Sequence, residues 1–253
     1  MPGVFVGEAR FPKNFKRYAR EFSLLEIDCE PGSFPGKARL QACAAVAPEG
    51  FVFSLAVPSV LARLEAGVDT DNAWKTAKLA ARILKAKWWV VRTPAEVRPT
   101  RRTREQLAAL FGQLNADGMR VAWEPRGVWD EAAAAETARN MGAHLVQDIA
   151  REAPLATGVL YSRLLALGRS ARVGLSLADM IAERMQGFEE AFVVVEGQGA
   201  REIQKAAKLA VGQIDEALGD EEEAEEDALD EELSDDELGD DDSAEDDAAE
   251  DES

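Results

Sequence analysis

Six short apolar runs of this chain each finish in side chains that ionise or hydrogen-bond. They are Leu24-Leu25-Glu26-Ile27-Asp28, Val90-Val91-Arg92, Val121-Ala122-Trp123-Glu124-Pro125-Arg126, Leu145-Val146-Gln147-Asp148, Val159-Leu160-Tyr161-Ser162-Arg163 and Val193-Val194-Val195-Glu196. The carboxylates can accept hydroxyl hydrogens or act as general acid and base. The guanidiniums can hold an anionic or carbonyl oxygen through paired N–H donors. Glu124 and Glu26 are the catalytic candidates of this set. Asp28, Arg92, Arg126, Asp148, Arg163 and Glu196 are the substrate-binding candidates. Trp129, just beyond the fifth run, joins them as an aromatic wall that can stack on a sugar or base; packing in the core is its other reading. A purely structural use of the charges is a set of ion pairs that closes the top of the fold, because buried charges must be paired.

Such residues act together only if the elements bring their ends to one place. Eight runs read as strands: Val4–Val6, Leu24–Ile27, Phe51–Val57, Trp88–Arg92, Arg120–Glu124, His144–Gln147, Gly158–Arg163 and Ala191–Val195. They are short, apolar and bounded by Gly, Pro or charge. Several lack alternation, as expected of strands covered on both faces. Helical spacing fills the intervals near Asn14–Glu21, Gly36–Val46, Asn72–Lys85, Thr103–Ala116, Glu131–Met141, Leu175–Gln186 and Arg201–Leu218. The segment Ile149–Thr157 is too short for a good helix, so the ring is expected to be irregular between strands six and seven. Alternating strands and helices imply an α/β fold with a parallel sheet, and eight repeats fit a TIM-type (β/α)8 barrel. An open doubly wound sheet fits less well, since Val6-Gly7-Glu8-Ala9-Arg10 lacks the glycine-rich phosphate turn. In a barrel the C-terminal strand ends converge on one mouth, which places every candidate residue above around a single rim.

The charge balance divides the chain in two. The whole chain carries −19, but the segment from Asp220 to Ser253 holds 22 of the 48 acidic residues and none of the 29 basic ones. The rest is therefore near +3. Residues 1–218 are expected to form the barrel domain. Residues 219–253 are expected to be a disordered acidic tail, too poor in apolar side chains to offset the entropy of ordering. Such a tail serves solubility or binds a basic partner.

No run is long and apolar enough to span a membrane. The first strand begins at Val4 and leaves no room for a leader, and Cys29 and Cys43 lack metal-type spacing, so a cytoplasmic protein with free thiols is expected. The single histidine, His144, opens the sixth strand at the end away from the mouth; no metal site is assigned, and the sequence leaves the cofactor unknown. The basic groups Arg98, Arg101, Arg102 and Arg104, and Lys13, Lys16, Arg17 and Arg20, read as solvated helix faces. Nucleic acid is not an expected partner, whereas a small polar or anionic ligand is.

The same residues resemble the YecE-like family, known as domain of unknown function 72. Tyr18-Ala19-Arg20-Glu21-Phe22 with Leu25-Glu26-Ile27-Asp28 is similar to its "YA..F..VEIN" segment. Pro48-Glu49-Gly50-Phe51-Val52-Phe53-Ser54 is similar to "P.GF.FS", Glu124-Pro125-Arg126 with Trp129 to "E.R...W", and Tyr161-Ser162-Arg163-Leu164 to "Y.RLHG". The resemblance covers roughly residues 4–215. It implies a TIM-type barrel with a remote likeness to sugar isomerases and an undefined activity. The chain departs from the pattern at Gly7-Glu8-Ala9-Arg10, Asp28, Glu30-Pro31-Gly32, Ala56, Arg92-Thr93, Leu165 and Val195-Glu196-Gly197, which marks a divergent member. Two functions follow as expectations. One is an enzyme acting on a small polar, sugar-like or phosphorylated substrate, with Glu124 as acid–base group and Arg126 and Arg163 orienting. The other is a non-catalytic barrel that lost site residues of the family and binds a ligand or partner.

Overall fold

The structure is a computed structural model. It describes residues 3–30, 32–64, 68–155, 157–165, 173–197, 199–210 and 212, with the side chains of residues 68 and 69 excepted. The acidic segment 219–253, and the expected extension of the last helix to Leu218, lie outside the described residues.

Eight parallel strands close into a barrel in sequence order. They are β1 (Gly3–Glu8), β2 (Leu24–Asp28), β3 (Val52–Ala56), β4 (Trp88–Thr93), β5 (Arg120–Pro125), β6 (His144–Gln147), β7 (Val159–Leu164) and β8 (Glu190–Val195). Around them lie α1 (Phe15–Glu21), α2 (Lys37–Val46), α3 (Ser59–Ala62), α4 (Val68–Leu84), α5 (Arg101–Asn115), α6 (Glu131–Asn140), α7 (Leu175–Met185) and α8 (Ala200–Ala210).

The helix starts follow local chemistry. The Asn14 side chain accepts from the Arg17 amide, Thr100 from Thr103 and Asp130 from Ala133, each satisfying an orphan amide of the first turn. The Thr100 cap starts α5 two residues before the expected Thr103. Helix α4 starts at Val68, a turn before the expected Asn72. Asp71 thus lies inside the helix. The four-residue α3 was not expected; so short a piece has no periodicity to read. Between β6 and β7 no helix occurs among the described residues, in accord with the short segment there.

Strand alternation sorts the side chains into two populations. Leu24, Val52, Trp88, Val90, Ala122, Tyr161, Phe192 and Val194 fill the barrel interior. Leu25, Phe53, Leu55, Trp89, Val91, Val121, Trp123, Leu160 and Val193 meet the helices. Neighbouring Trp88 and Trp89 therefore part company. Trp88 lies 5.0 Å from the Tyr161 ring and 5.1 Å from the Phe192 ring. Trp89 stands edge-on to Trp74 of α4 at 6.2 Å. Aromatic rings thus plug the lower lumen and leave the upper lumen to polar groups.

One contact sets how β1 joins β2. The Tyr18 hydroxyl of α1 donates to the Leu24 carbonyl at 2.6 Å and accepts from the Glu8 amide at 2.7 Å. It bridges two backbone groups where the two strands pair only at Gly7–Leu24 and Glu8–Leu25. A Cβ on Gly7 would lie 1.7 Å from the Leu24 oxygen, so only glycine permits this approach.

The strand N-termini carry their own charged group. Arg120 pairs with Glu190, and its guanidinium lies over Trp88 at 5.5 Å. His144 lies edge-on to Trp88 at 5.2 Å. Burial and then Arg120 hold the His144 pKa below its ordinary 6.5, with Glu190 opposing them. The imidazole is neutral in the fold, and the unfolded chain binds its proton more readily. Its contribution to stability is therefore present above pH 6.5 and is lost as pH falls toward the depressed folded pKa. The expected result is a smaller loss of urea resistance on acidification below pH 6.5 in His144→Gln than in wild type. Parallel pH curves for the two proteins would refute it.

Candidate functional site

The upper lumen follows from two-residue alternation. Because Leu24, Ala122 and Tyr161 point inward, so do Glu26, Glu124 and Arg163, each one step nearer the strand C-terminus. Glu196 follows β8 on the same face as Val194. Four strands thus aim four ionisable groups at one point.

Arg163 is the hub. Its side chain has no exposed surface, and it meets three carboxylates at once. Nη2 pairs with Glu26 Oε1 at 3.1 Å and also contacts Glu196 Oε1, while Nη1 donates to Glu124 Oε2. The Nε–H has no acceptor among the described residues. Burial alone would lower the Arg163 pKa; the charges of Glu26, Glu124 and Glu196 outweigh it and hold the group cationic.

The partners differ in depth. Glu26 is 2% exposed, and its second oxygen accepts the Tyr161 hydroxyl at 3.0 Å. Burial, and then the Glu26 charge, raise the Tyr161 pKa well above 10, so the phenol stays a neutral donor. Glu124 is 8% exposed, and its other oxygen accepts from Arg126 Nε at 3.0 Å. Arg126 and Glu196 reach solvent, at 53% and 41% exposure. On the opposite arc of the rim Arg92 Nη2 lies 3.2 Å from Asp28 Oδ1. The layout is a sealed floor of Glu26, Tyr161 and Arg163, with Glu124 at the boundary and Glu196, Arg126, Asp28 and Arg92 above.

Two candidates stand elsewhere. Trp129 does not line the lumen. Its ring packs edge-on to Trp123 at 4.8 Å on the helix side of β5, and its indole N–H donates to the Val97 carbonyl at 2.8 Å. The apolar cover of the outer sheet face outweighs exposure at the rim for so large a ring. Asp148 closes the short β6–β7 connection. Its Oδ1 accepts from the Ala150 amide at 3.1 Å and its Oδ2 from the Leu165 amide at 3.2 Å, with Arg151 at 3.6 Å. Gln147, one residue earlier, faces the helix layer and bonds Glu131 and the Leu155 amide. Tyr161 was missing from the candidate set. Its signal was present: it stands two residues before Arg163 and so shares its face.

Both thiols are free and buried, and burial raises the pKa of each. Cys29 is buried, and burial with the adjacent Asp28 pushes its pKa up to about 12. Among the described residues no group of three or more His, Cys, Asp or Glu side chains is placed to hold a metal ion. The carboxylates that come nearest to it share a guanidinium instead. Among the described residues no helix is long and apolar enough to cross a membrane.

The barrel has solved counterparts. A DUF72 family protein of Enterococcus faecalis superposes with a TM-score of 0.62 at 15% identity, over 84% of this chain and 98% of the other. A DUF72 family protein of Thermotoga maritima gives 0.59 at 17% identity, over 82% and 98%. A D-tagatose 3-epimerase-like protein gives 0.54 at 12% identity, over 84% and 97%. At these identities the likeness establishes a common fold. No curated protein matches the chain. The pattern of strand-end residues extends over nearly the whole barrel, and the model of the family described as "Protein of unknown function DUF72" matches residues 5–211. This chain belongs to that family.

Proposed function

We propose that the barrel mouth binds a small polyhydroxylated, sugar-like molecule and that Glu124 moves a proton to or from it. The observation that carries this is the setting of Glu124. Its carboxylate is clamped between a sealed guanidinium, Arg163, and a half-exposed one, Arg126, at the boundary between protein and solvent. A general base needs such fixed orientation within reach of its substrate. Each carboxylate oxygen has a second lone pair, so both remain able to accept from a ligand hydroxyl. Arg126 would neutralise charge developing on a substrate oxygen. Glu26 and Tyr161 hold Arg163 in place and act as positioning residues. The fold shared with a D-tagatose 3-epimerase-like protein fits a sugar-like ligand.

A second reading treats the network as a closure of the barrel and the mouth as non-catalytic; the complete burial of Arg163 favours it. One experiment separates the two. A panel of pentoses and ketohexoses is tested by thermal shift on wild type and Glu124→Gln. A sugar present at about 100 times its Kd should stabilise the wild type by roughly 2.7 kcal/mol. The variant should lose most of that shift while unfolding cooperatively. An undiminished shift in Glu124→Gln would remove Glu124 from the site.

A further inference from the structure

We infer that Arg92 is the second ligand-facing group of the mouth: its guanidinium receives the carbonyl oxygen of an open-chain sugar while Glu124 faces the neighbouring carbon. The inference rests on the sugar-like reading above and narrows it to α-hydroxy carbonyl compounds.

The two groups are built as a fixed pair. Strands β4 and β5 pair along their whole length, and Arg92 is the register partner of Glu124. Alternation points both side chains into the lumen, Arg92 on the face of Trp88 and Val90, Glu124 on that of Ala122. Neighbouring strands lie about 4.8 Å apart. The ends of these two strands are also fastened to each other. The Arg126 amide donates to the Thr93 carbonyl at 3.1 Å, and the Trp123 indole N–H donates to the Thr93 hydroxyl at 3.1 Å. Gly127 has a φ of 86°, and a Cβ there would lie 2.9 Å from Ala95 Cα, so glycine lets the two following loops touch. Arg92 and Glu124 therefore keep one relative position, which a base and the donor that holds the developing oxyanion require.

Arg92 also has donors to offer. Among the described residues its side chain contacts one carboxylate, Asp28, through Nη2 at 3.2 Å, and the two side chains are 22% and 40% exposed. To get there the guanidinium crosses β3. Ala56, the register partner of Asp28, presents only a methyl group on that path. Asp28 Oδ1 also accepts from the Glu30 amide at 3.3 Å, which makes it a positioning residue for the arm. A guanidinium carries five N–H donors, and this single contact leaves most of them for a ligand. Arg163, by contrast, commits both Nη groups to carboxylates in the sealed floor. A carboxylate already stands beside Arg92, so its remaining donors suit a neutral oxygen.

The two positions match the two ends of one proton transfer. In an α-hydroxy carbonyl compound the carbon bearing the hydroxyl is acidified by the carbonyl next to it. Glu124 takes that proton. The C–H electron pair becomes the second bond between the two carbons, and the carbonyl π pair moves onto the oxygen held by Arg92. Arg126, on the other oxygen of Glu124 from Arg163, is left for the hydroxyl oxygen. Return of the proton from Glu124 to carbon restores the carbonyl and leaves no net change of charge. An alditol has no carbonyl and no acidic C–H, and it gives Arg92 only a hydroxyl.

The test titrates full-length wild type and Arg92→Gln with two open-chain ketoses, D-ribulose and L-erythrulose, with the alditols ribitol and erythritol, and with D-erythronate. Affinities are read by calorimetry, and the Arg92 Nε–H signal is followed by nuclear magnetic resonance. Wild type should bind each ketose about tenfold more tightly than its alditol, as one hydrogen bond to a charged donor provides. The Arg92 signal should shift with the ketoses. In Arg92→Gln the ratio should fall to about twofold or less, with alditol affinity nearly unchanged. Equal wild-type affinity for ketose and alditol would overturn the carbonyl selection and leave the sugar site standing. A ratio unchanged in Arg92→Gln would overturn the role of Arg92. If that variant does not fold, the wild-type signal decides, and an Arg92 resonance unmoved by the ketoses overturns the role. Tighter binding of D-erythronate than of L-erythrulose would show that the arm serves an anion and overturn the inference. Failure of every sugar and alditol to bind would overturn the sugar-like reading and this inference with it.

Discussion

Arg163→Met should destabilise the protein by about 3–5 kcal/mol, the range found when one partner of a buried ion pair is removed. Methionine approximates the length of the arginine stem but brings no charge. Glu26 and Glu124, both nearly sealed from solvent, would then face each other without the cation they share. Urea denaturation at neutral pH measures the loss. Adding Glu26→Gln to Arg163→Met should recover part of it, since one of the stranded charges is then gone. A single-variant loss below about 1 kcal/mol would mean that the carboxylates find solvent easily and that the floor of the mouth is not closed. Arg163→Lys should fail as well, because one ammonium cannot reproduce a planar fork that reaches three acceptors.

The second large effect concerns closure of the ring. Gly7→Ala should cost on the order of 4 kcal/mol or more, or prevent folding, because a methyl group cannot occupy space 1.7 Å from the Leu24 oxygen. Relief requires β1 to move away from β2, which breaks the Tyr18 bridge between the Glu8 amide and the Leu24 carbonyl. Gly112→Ala is the matching control. Gly112 lies inside α5 with nothing within 4 Å of its added Cβ, so alanine there should stabilise by about 0.5–1 kcal/mol. Circular dichroism and urea midpoints distinguish the two outcomes. Similar, small effects at both glycines would contradict the close approach of β1 and β2.

The strands were legible because each is a short apolar run with punctuation at both ends, and because their number matches a closed ring. Convergence of Glu26, Glu124, Arg126 and Arg163 followed from that count together with the rule that strand C-termini face one way. Depth was not legible. Nothing in the order of residues says that Arg163 would be sealed and shared by three acids while Arg126 stays half in water; that depends on how far each strand is shifted against its neighbour. Asp148 shows the same limit. It ends an apolar run like the others, yet the brevity of the segment after β6 turns its carboxylate toward nearby amides. Trp129 was misplaced because a residue four positions past a strand has left the alternation that fixes its side. Tyr161 was recoverable, since its parity with Arg163 needs no structure.

The missing helix after β6 has a mechanical consequence. Strand β6 has four residues, three of them only partly buried, and it joins β5 and β7 through two register pairs on each side. Among the described residues no helix covers the gap between β6 and β7, and the bent connection there is held by hydrogen bonds with Asp148, Gln147, Ser162 and Arg184. If the ring breathes, it parts here first, and amide hydrogens of residues 144–147 should exchange with deuterium ahead of those in β4 and β8. Such a seam gives the closed ring a preferred line of opening one strand away from Arg163 and Glu124.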